Sequence, residues 1–160
     1  MPIQVRPATR ADIETIVAFN LAMALETEGK SLDREVLHTG VRAIFDDPGK
    51  GVCYVAEIDG EIAGSLMITT EWSDWENQYY WWIQSVYVIP DARGMGIYKA
   101  LYRYVYDLAR SGGQVRGFKL YVERNNLTAK KVYEALGMNR ADHDIYETPG
   151  SLGDDPPKHG

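Results

Sequence analysis

The sequence predicts a mixed α/β fold, in which helices pack against a sheet that holds the core. Three patterns support this expectation. Apolar residues recur at helical spacing in two segments near the N-terminus, two β-rich runs flank an Asp-Gly pair in the middle, and strand-like and helix-like segments alternate after it. The 160 residues are enough for one domain with a sizeable core, and we expect that domain to span residues 1–147.

The first part of the chain predicts a short strand followed by two helices. Residues 3–7 form the strand, and Thr9 with Asp12 resembles a capping box before a helix of about three to four turns. The positions of that helix that keep helical spacing are Ile13, Ile16, Val17, Asn20 and Leu21. Asp33 is the candidate N-cap of a second helix, which stops near residues 46–51. Its apolar positions are Val36, Leu37, Val41, Ile44 and Phe45.

The middle of the chain contains the clearest hairpin signal. Residues 51–72 hold two β-rich runs around Asp59-Gly60, a dipeptide that favours a tight turn between antiparallel strands. A polar loop over residues 73–78 separates this hairpin from a third strand over residues 79–89.

The remaining residues predict an alternation of helix and strand, followed by a tail. The expected elements are a helix over 98–113, a strand over 115–123, a helix over 126–138 and a short strand over 142–147. Residues 148–160 have little to bury, so we expect them to form a flexible C-terminal tail.

Composition and charge exclude several classes of protein. The formal net charge of −6 argues against a nucleic-acid partner, because phosphate binding needs a positive surface, and it mildly favours a cationic small molecule. No stretch approaches the roughly 20 apolar residues that span a bilayer, and the N-terminus lacks a signal peptide's apolar core, so no membrane association is expected. Cys53 is the single cysteine, which points to a reducing, cytoplasmic setting, and the three scattered histidines predict no metal site.

A glycine-rich turn between a strand and a helix is the strongest functional signal. Within residues 90–102, Gly94 and Gly96 stand just before the helix, beside Arg93 and Lys99. Unpaired amides at a helix start favour an anion, and glycines let a phosphate approach the backbone closely. The alternative is a plain strand–helix turn, whose glycines only satisfy backbone geometry. The segment has neither the pattern of a Walker loop nor a complete dinucleotide-binding fingerprint.

These residues resemble the GCN5-related N-acetyltransferases (the GNAT family), which move an acetyl group from acetyl-CoA to an amine. The family signature R/Q-x-x-G-x-G/A is similar to Arg93–Tyr98, and the signature N-x-x-A-x-x-x-Y is similar to Asn126, Ala129 and Tyr133. The resemblance covers about residues 3–147. It implies a mostly antiparallel central sheet with helices on both faces.

The resemblance implies that the turn and the strand before it bind acetyl-CoA. The pyrophosphate of coenzyme A is expected on the backbone amides of the turn, and the pantetheine arm beside the strand near Val86 and Val88. That strand and the one over 115–123 are expected to diverge and hold the thioester between them. The implied cofactor-binding residues are Val86, Tyr87, Val88, Arg93, Gly94, Met95, Gly96, Ile97, Tyr98, Lys99, Asn126 and Tyr133.

The resemblance also implies direct attack of the amine on the thioester, with Tyr133 as the general acid for the departing thiolate. The alternative for Tyr133 is a half-buried aromatic residue of a helix. Asn126 is expected both to cap that helix and to contact the CoA arm. Cys53 lies in a predicted core-facing strand, and core packing is favoured over a nucleophilic role.

Two positions depart from the family pattern. Tyr98 stands where the first signature ends in a small residue, which is expected to affect the adenine end of the site. Gln84 and Ser85 stand where many relatives carry a glutamate base, and neither can take a proton from an ammonium group. Glu71 is the candidate base, with a solvated surface carboxylate as the alternative. Further candidates with the same alternative are Asp74, Glu26 and Glu28.

Aromatic side chains are concentrated in residues 71–82. They predict either the walls of a pocket for a cationic or aromatic amine or the surface of a homodimer, and the sequence leaves both open. The expected substrate-binding residues are Glu26, Glu28, Trp72, Asp74, Trp82 and Gln84.

The main functional hypothesis is an acetyl-CoA-dependent N-acetyltransferase that acts on a primary amine of a small molecule or peptide. One alternative is a CoA-binding regulatory module of the same fold without turnover. The other is an aromatic-rich interaction protein whose turn binds no nucleotide. The sequence does not identify the acceptor amine.

Overall fold

A five-stranded sheet organises the computed structural model, which describes residues 2–153. The strands are β1 (Ile3–Pro7), β2 (Val52–Ile58), β3 (Glu61–Ser73), β4 (Gln78–Val88) and β5 (Val115–Leu120). They lie in the sheet in chain order, and neighbours are antiparallel except that β5 runs parallel to β4. The helices are α1 (Ile13–Glu28), α2 (Arg34–Asp46), α3 (Ile97–Gly112) and α4 (Leu127–Ala135).

Helices cover both faces of the sheet. On one face, α1 and α2 bury Ile16 and Val41 against Cys53 of β2. The next residue, Tyr54, points to the opposite face because side chains alternate along a strand, and its ring centre lies 5.6 Å from that of Tyr104 in α3. The predicted fold class, a mostly antiparallel sheet with helices on both faces, is confirmed.

Local signals set several element ends. Asp59 and Gly60 adopt left-handed φ angles of 52° and 80°, which give the tight turn between β2 and β3. The Asp33 side chain accepts two amides from the first turn of α2, at 2.9 and 3.1 Å, and Asn126 accepts the Ala129 amide at 3.0 Å. The hairpin turn and both N-caps are therefore as predicted.

Element lengths differ from the expectations in four places, the last being α4, which ends at Ala135 rather than at residue 138. β3 and β4 extend into the predicted polar loop, so only residues 74–77 remain as a turn. α1 contains 16 residues, which is about four and a half turns and longer than predicted. β5 ends at Leu120, so residues 121–123 lie outside the strand in which they were expected.

The predicted final strand is wrong. Within the described part of the chain, residues 142–147 adopt no regular structure. The apolar side chains of the segment, Ile145 and Tyr146, are exposed. The strand-like alternation of polar and apolar residues in the sequence therefore buries neither face. The expected tail continues beyond the described residues, since positions 154–160 lie outside them.

The chain forms two compact units, Met1–Tyr121 and Val122–Gly160. The first contains the whole sheet with α1, α2 and α3, and the second contains α4. The boundary expected after residue 147 stays a prediction.

Arg6 links β1 to the residues that precede α1 and to β2. Its guanidinium donates to both carboxylate oxygens of Asp12, at 2.7 and 3.1 Å, and its Nε donates to Glu57 at 2.8 Å. Asp12 also accepts the backbone amide of Thr9 at 2.7 Å, as expected of a capping box. The hydrogen bonds from Arg6 hold the pKa of buried Asp12 below its ordinary value. The network fixes where α1 starts relative to the sheet.

Asp12→Asn should destabilise the fold in a pH-dependent way. We expect the free energy of unfolding at pH 7 to fall by about 1–3 kcal/mol, toward the lower end because Arg6 is partly exposed. The folded-state pKa of Asp12 lies below the unfolded value of about 3.9, so its stabilisation is present above that value and is lost as the pH falls through the folded-state pKa. Urea unfolding at pH 7 and pH 3 measures the difference from wild type, which should shrink at pH 3.

The matched control is Asp46→Asn, which removes an ion pair of the same length, 2.7 Å, between exposed Asp46 and Arg10. We expect about 0–1 kcal/mol for this control. Equal losses in the two variants would contradict the special role assigned to Asp12.

Candidate functional site

The turn between β4 and α3 exposes main chain with no side chain over its glycines. A short 3-10 turn, Pro90–Ala92, leads into Gly94 and Gly96, whose φ angles of 81° and 85° lie in the left-handed region. A Cβ atom added to either glycine would meet no heavy atom within 4 Å. A ligand can therefore approach the backbone of this turn directly.

Two of the first amides of α3, those of Ile97 and Lys99, are not used by the helix. The amide of Ala100 bonds back to the Gly96 carbonyl at 3.0 Å, whereas those of Ile97 and Lys99 donate to no other group within residues 2–153. The helix dipole adds positive potential at this end, and Lys99 adds a cation, whereas the Arg93 guanidinium forms an ion pair with Glu26 at 2.9 Å. The turn has the features of an anion-binding site.

Ile97 fixes the first turn of α3 against the sheet. Its side chain is 2% exposed and fills the space over Gly64 of β3. A Cβ atom at Gly64 would lie only 2.7 Å from Ile97 Cγ2 and 2.9 Å from the Tyr87 carbonyl oxygen, so this close approach requires glycine. The contact keeps the open turn next to the end of β4.

β4 is irregular at Ser85, close to the point where it separates from β5. Ser85 has a φ angle of 51°, which is left-handed for a residue with a side chain, and it lies at a register shift against β3. The pairing of β4 with β5 ends at Ile83 and Leu120. The pairing therefore stops where the sequence predicts that the two strands diverge.

The free edge of β4 presents backbone groups of Val86 and Val88. The Ile89 amide donates to the Ala63 carbonyl on the β3 side, at 2.9 Å. Because backbone groups alternate between the two edges of a strand, those of Val88 and Val86 point away from β3. The Val88 carbonyl accepts a hydrogen bond from Arg93 Nε at 3.0 Å.

Glu26 connects α1 with the turn. Its carboxylate accepts hydrogen bonds from the Tyr87 hydroxyl at 3.1 Å and from Arg93 Nη2 at 2.9 Å. The Tyr87 ring packs on Phe19 with ring centres 5.1 Å apart, and the Arg93 guanidinium lies 5.5 Å from the Tyr87 ring centre. Tyr87 therefore turns its side chain toward α1.

Glu71 lies in a cluster of polar and aromatic side chains formed by Glu71, Tyr80, Trp82 and Lys119. Its carboxylate accepts the Lys119 ammonium and the Trp82 indole N–H, each at 2.9 Å. The Lys119 ammonium also lies 4.1 Å from the Tyr80 ring centre, a distance typical of cation–π contacts. The hydrogen bonds from Lys119 and then Trp82 hold the pKa of Glu71 below its ordinary value.

A comparison with protein families agrees with this geometry. A sequence model described as the Acetyltransferase (GNAT) family matches residues 18–138, which include the open turn, the β4 edge and Tyr133. The chain belongs to the GNAT family of acetyltransferases.

Solved structures extend the GNAT match. A possible acetyltransferase from Clostridium difficile 630 is 40% identical, with a TM-score of 0.87 and coverage of 94% of this chain and 99% of that one. Two others share the fold at 18% identity. One is a predicted acetyltransferase with acetyl-CoA from Clostridium acetobutylicum, with a TM-score of 0.74 and coverage of 92% of this chain and 96% of that one. The other is a ribosomal-protein-alanine N-acetyltransferase from Brucella melitensis biovar Abortus 2308, with a TM-score of 0.76 and coverage of 94% of this chain and 100% of that one. A search among curated proteins finds no match.

The second GNAT signature lies in the second unit of the chain. Asn126 begins α4 as its cap, and the helix ends before Gly137, whose φ angle is 91°. Tyr133 is half-buried, and burial raises the pKa of its phenol. A raised pKa keeps the phenol protonated, which suits a proton donor.

The structure brings together part of the predicted acceptor site. Gln84 of β4 lies opposite Met67 of β3, whose side chain packs in the core under α1 and α2. The side-chain amide of Gln84 donates from Nε2 to Thr69 Oγ1 at 2.6 Å. Since side chains alternate along a strand, Trp82 lies on the same face as Gln84, and its hydrogen bond places Glu71 there too.

Other predicted acceptor residues lie elsewhere. Trp72 follows Glu71 in β3 and so lies on the opposite face, with its ring centre 4.9 Å from that of Tyr79. Asp74 lies in the turn at the end of the hairpin and accepts the Trp75 amide at 3.1 Å. Glu28 ends α1, with its carboxylate 3.7 Å from the Lys30 ammonium. Of the predicted cofactor-binding residues, exposed Met95 lies in the turn before α3, and Tyr98 lies in the first turn of α3 with its ring centre 6.2 Å from that of Tyr102.

Sequence reasoning missed Lys119 and the left-handed conformation of Ser85. Strand alternation predicts that Lys119 and Phe118 point to opposite faces of the sheet. It does not predict the ion pair of Lys119 with Glu71, which is 48 positions away in the sequence. A serine in an apolar strand gives no sign of a positive φ angle, since glycine or asparagine is the usual signal.

Two features are absent from the described positions, 2–153. There, no group of His, Cys, Asp and Glu side chains is arranged to hold a metal ion. No helix in this range combines the length and the apolar character that crossing a membrane requires.

Lys119→Met should raise the pKa of Glu71 toward its ordinary value, because it removes the strongest hydrogen bond that stabilises the carboxylate. An NMR titration of side-chain carboxyl carbons measures this pKa. Lys131→Met, at an exposed position of α4, is the control and should leave it unchanged. An unshifted Glu71 in the Lys119 variant would show that Trp82 alone sets the pKa.

Proposed function

We propose that the protein transfers an acetyl group from acetyl-CoA directly to a primary amine of a small molecule or peptide. The open turn before α3 carries the proposal, because its unpaired amides and bare glycines fit a diphosphate. Membership of the GNAT family supports acetyl transfer, and the C. acetobutylicum neighbour with acetyl-CoA supports this donor.

The donor is assigned to two features of the first unit. The pyrophosphate is assigned to the backbone amides from Arg93 to Lys99, and the Lys99 ammonium adds to its attraction. The amides of Arg93 and Met95 exchange their long hydrogen bonds to Pro90 and Ala92, at 3.3 and 3.4 Å, for the ligand. The outward backbone groups of Val86 and Val88 are available to pair with the pantetheine amides. The Val88 carbonyl already accepts a hydrogen bond from Arg93 Nε. A pantetheine amide that pairs with this carbonyl therefore replaces Arg93 as the donor.

Transfer occurs in one step, without an acyl-enzyme. Bound acetyl-CoA supplies the activated acetyl thioester. The single cysteine, Cys53, is 5% exposed, and burial raises its pKa to about 11, so it is a poor nucleophile at neutral pH. Tyr133 donates a proton to the departing thiolate, and Asn126 contacts the pantetheine arm as well as capping α4.

Deprotonation of the amine is assigned to Glu71. Gln84 and Ser85 offer no base in β4, whereas the Glu71 carboxylate shares the sheet face of Gln84 and is ionised over a wide pH range. Its low pKa makes it a weak base, so it acts by accepting a hydrogen bond from the amine and passing the proton to solvent. Trp82 donates to Glu71 and orients it.

The weak basicity of Glu71 is also the observation that favours the second candidate, a CoA-binding regulatory module without turnover. Release of free thiol from acetyl-CoA in the presence of an amine panel distinguishes the two. The panel includes amino acids, polyamines, aminoglycosides and peptide N-termini. Calorimetric binding of acetyl-CoA without thiol release from any amine would support the regulatory module.

Gly96→Val should weaken the binding of coenzyme A at least tenfold, because a branched side chain at a φ angle of 85° distorts the turn and crowds the pyrophosphate. Isothermal titration calorimetry measures this affinity. Gly113→Val is the matched control, since Gly113 has a φ angle of 71°, has equally open surroundings and lies at the other end of α3. Undiminished binding by the Gly96 variant would refute the assignment of the turn.

Tyr133→Phe should lower kcat by about 10²–10⁴-fold with little change in CoA affinity. Because burial raises the pKa of Tyr133 above its ordinary value of about 10, ionisation of this phenol should lower the wild-type rate only above that pH. Initial rates over pH 6–10 check both statements, with exposed Tyr146→Phe as the control. An unchanged rate at every pH would exclude Tyr133 as the acid.

A further inference from the structure

A cavity of about 230 Å³ lies between the sheet and the helices α1 and α2. All residues that line it belong to the unit Met1–Tyr121. Its helical wall is aliphatic and is formed by Ile16, Leu37, Val41 and Ile44. At about 30 Å³ for each water-sized group, it holds on the order of seven non-hydrogen atoms.

The cavity offers nothing to neutralise a charge. Its polar lining side chains are Asn20, Ser65, Ser85 and the Cys53 thiol, and none of the described residues that line it is ionised at neutral pH. Asn20 already donates its amide to the Ile16 carbonyl at 3.0 Å. An ammonium or carboxylate group placed here would lose its hydration without gaining an ionic partner.

Ser85 places one wall of the cavity at the irregular point of β4. The pairing with β5 has just ended here, and the next residue, Val86, offers backbone groups that the proposed function assigns to the pantetheine arm of the donor. The polar groups of the same sheet face, Glu71 and Lys119, do not line the cavity. The candidate acceptor side is therefore divided into a charged part and an apolar part.

We infer that this cavity binds an uncharged alkyl group of on the order of four to six carbons, carried by one of the two reactants. The inference rests on the proposed function, which assigns the pantetheine arm of the donor to Val86 and Val88, directly after Ser85. The alkyl group belongs either to the acceptor amine or to the acyl chain of the donor, and the chemistry of binding is the same for both. Burial of each methylene contributes about 0.8 kcal/mol, or roughly a fourfold gain in kcat/KM.

Gly40 sets the size of the cavity. It lines the cavity from α2, is exposed, and has no heavy atom within 4 Å of an added Cβ. Replacement by leucine improves helix propensity and directs a side chain toward the space. Thr39, its exposed neighbour in α2, does not line the cavity, so Thr39→Leu is the matched control.

Binding is tested without turnover by the rate at which iodoacetamide alkylates Cys53, the single cysteine and part of the cavity lining, over an incubation of hours because the thiol is buried. The reaction is followed at pH 9 by mass spectrometry, with 1-hexanol or hexane-1,6-diamine as the probe. We expect saturable protection, at least threefold, by 1-hexanol and none by the doubly charged diamine. Gly40→Leu should abolish the protection and Thr39→Leu should keep it. Equal rates with and without 1-hexanol in the wild-type protein would overturn the inference.

The source of the alkyl group is tested by two series. One varies the amine from propylamine to hexylamine with acetyl-CoA, and the other varies the donor through acetyl-, butyryl- and hexanoyl-CoA with one amine. If kcat/KM rises with chain length in one series, the alkyl group belongs to the reactant that this series varies. Gly40→Leu should then shift the preferred chain length to shorter chains, and Thr39→Leu should leave it unchanged. A flat response in both series overturns the inference.

Failure of the proposed function gives a different result. If no amine is acylated but 1-hexanol protects Cys53, the cavity binds an alkyl group and the acetyltransferase assignment fails. If amines are acylated but neither protection nor chain-length dependence is seen, the assignment stands and the cavity inference fails.

Discussion

The contact of Ile97 with Gly64 is the constraint on which the candidate site depends. The absence of a side chain at Gly64 lets α3 approach the sheet so closely that an added Cβ would lie 2.7 Å from Ile97. A helix start can bind an anion only where its unpaired amides are held in a fixed direction. Here a buried apolar contact supplies that direction, in addition to the hydrogen bonds within the turn from Arg93 to Pro90 and from Met95 to Ala92.

The irregularity at Ser85 organises the rest of the site around this anchor. In a regular strand the side chain of Val86 would point toward α1. Between the pairs Gln84–Met67 and Tyr87–Ser65, β4 has one residue more than β3, so the side chain of Tyr87 points toward α1 instead. Its hydroxyl donates a hydrogen bond to Glu26. The Arg93 guanidinium completes this group, so α1, β4 and the turn are joined by one carboxylate. The same irregularity lies beside the cavity, and polar and apolar recognition are thereby separated along one strand.

The sequence was informative wherever a few neighbouring residues determine the conformation. Asp59-Gly60 specified its turn, Asp33 and Asn126 specified their helix starts, and the glycines of the open turn were found because their chemistry is local. It failed where burial or distant partners decide. Residues 142–147 alternate like a strand but bury neither Ile145 nor Tyr146.

The same limit applies to the site. Long-range pairs set the environment of Glu71 through Lys119, and the cavity is enclosed by residues from α1, α2 and three strands. Neither arrangement leaves a periodic or spaced pattern in the chain. Trp72 and Asp74 do not share the sheet face of Glu71 and Trp82, and their predicted roles in acceptor binding stay predictions.

The state of Cys53 has a practical consequence for enzymology. With a pKa of about 11, only about one thiol in a thousand is ionised at pH 8, and the sulfur is screened by the core. A colorimetric disulfide reagent added during turnover will thus report sulfhydryl groups liberated from the donor, with almost no background from the catalyst. Assays can therefore run continuously, and a cysteine introduced on the surface becomes a uniquely addressable label.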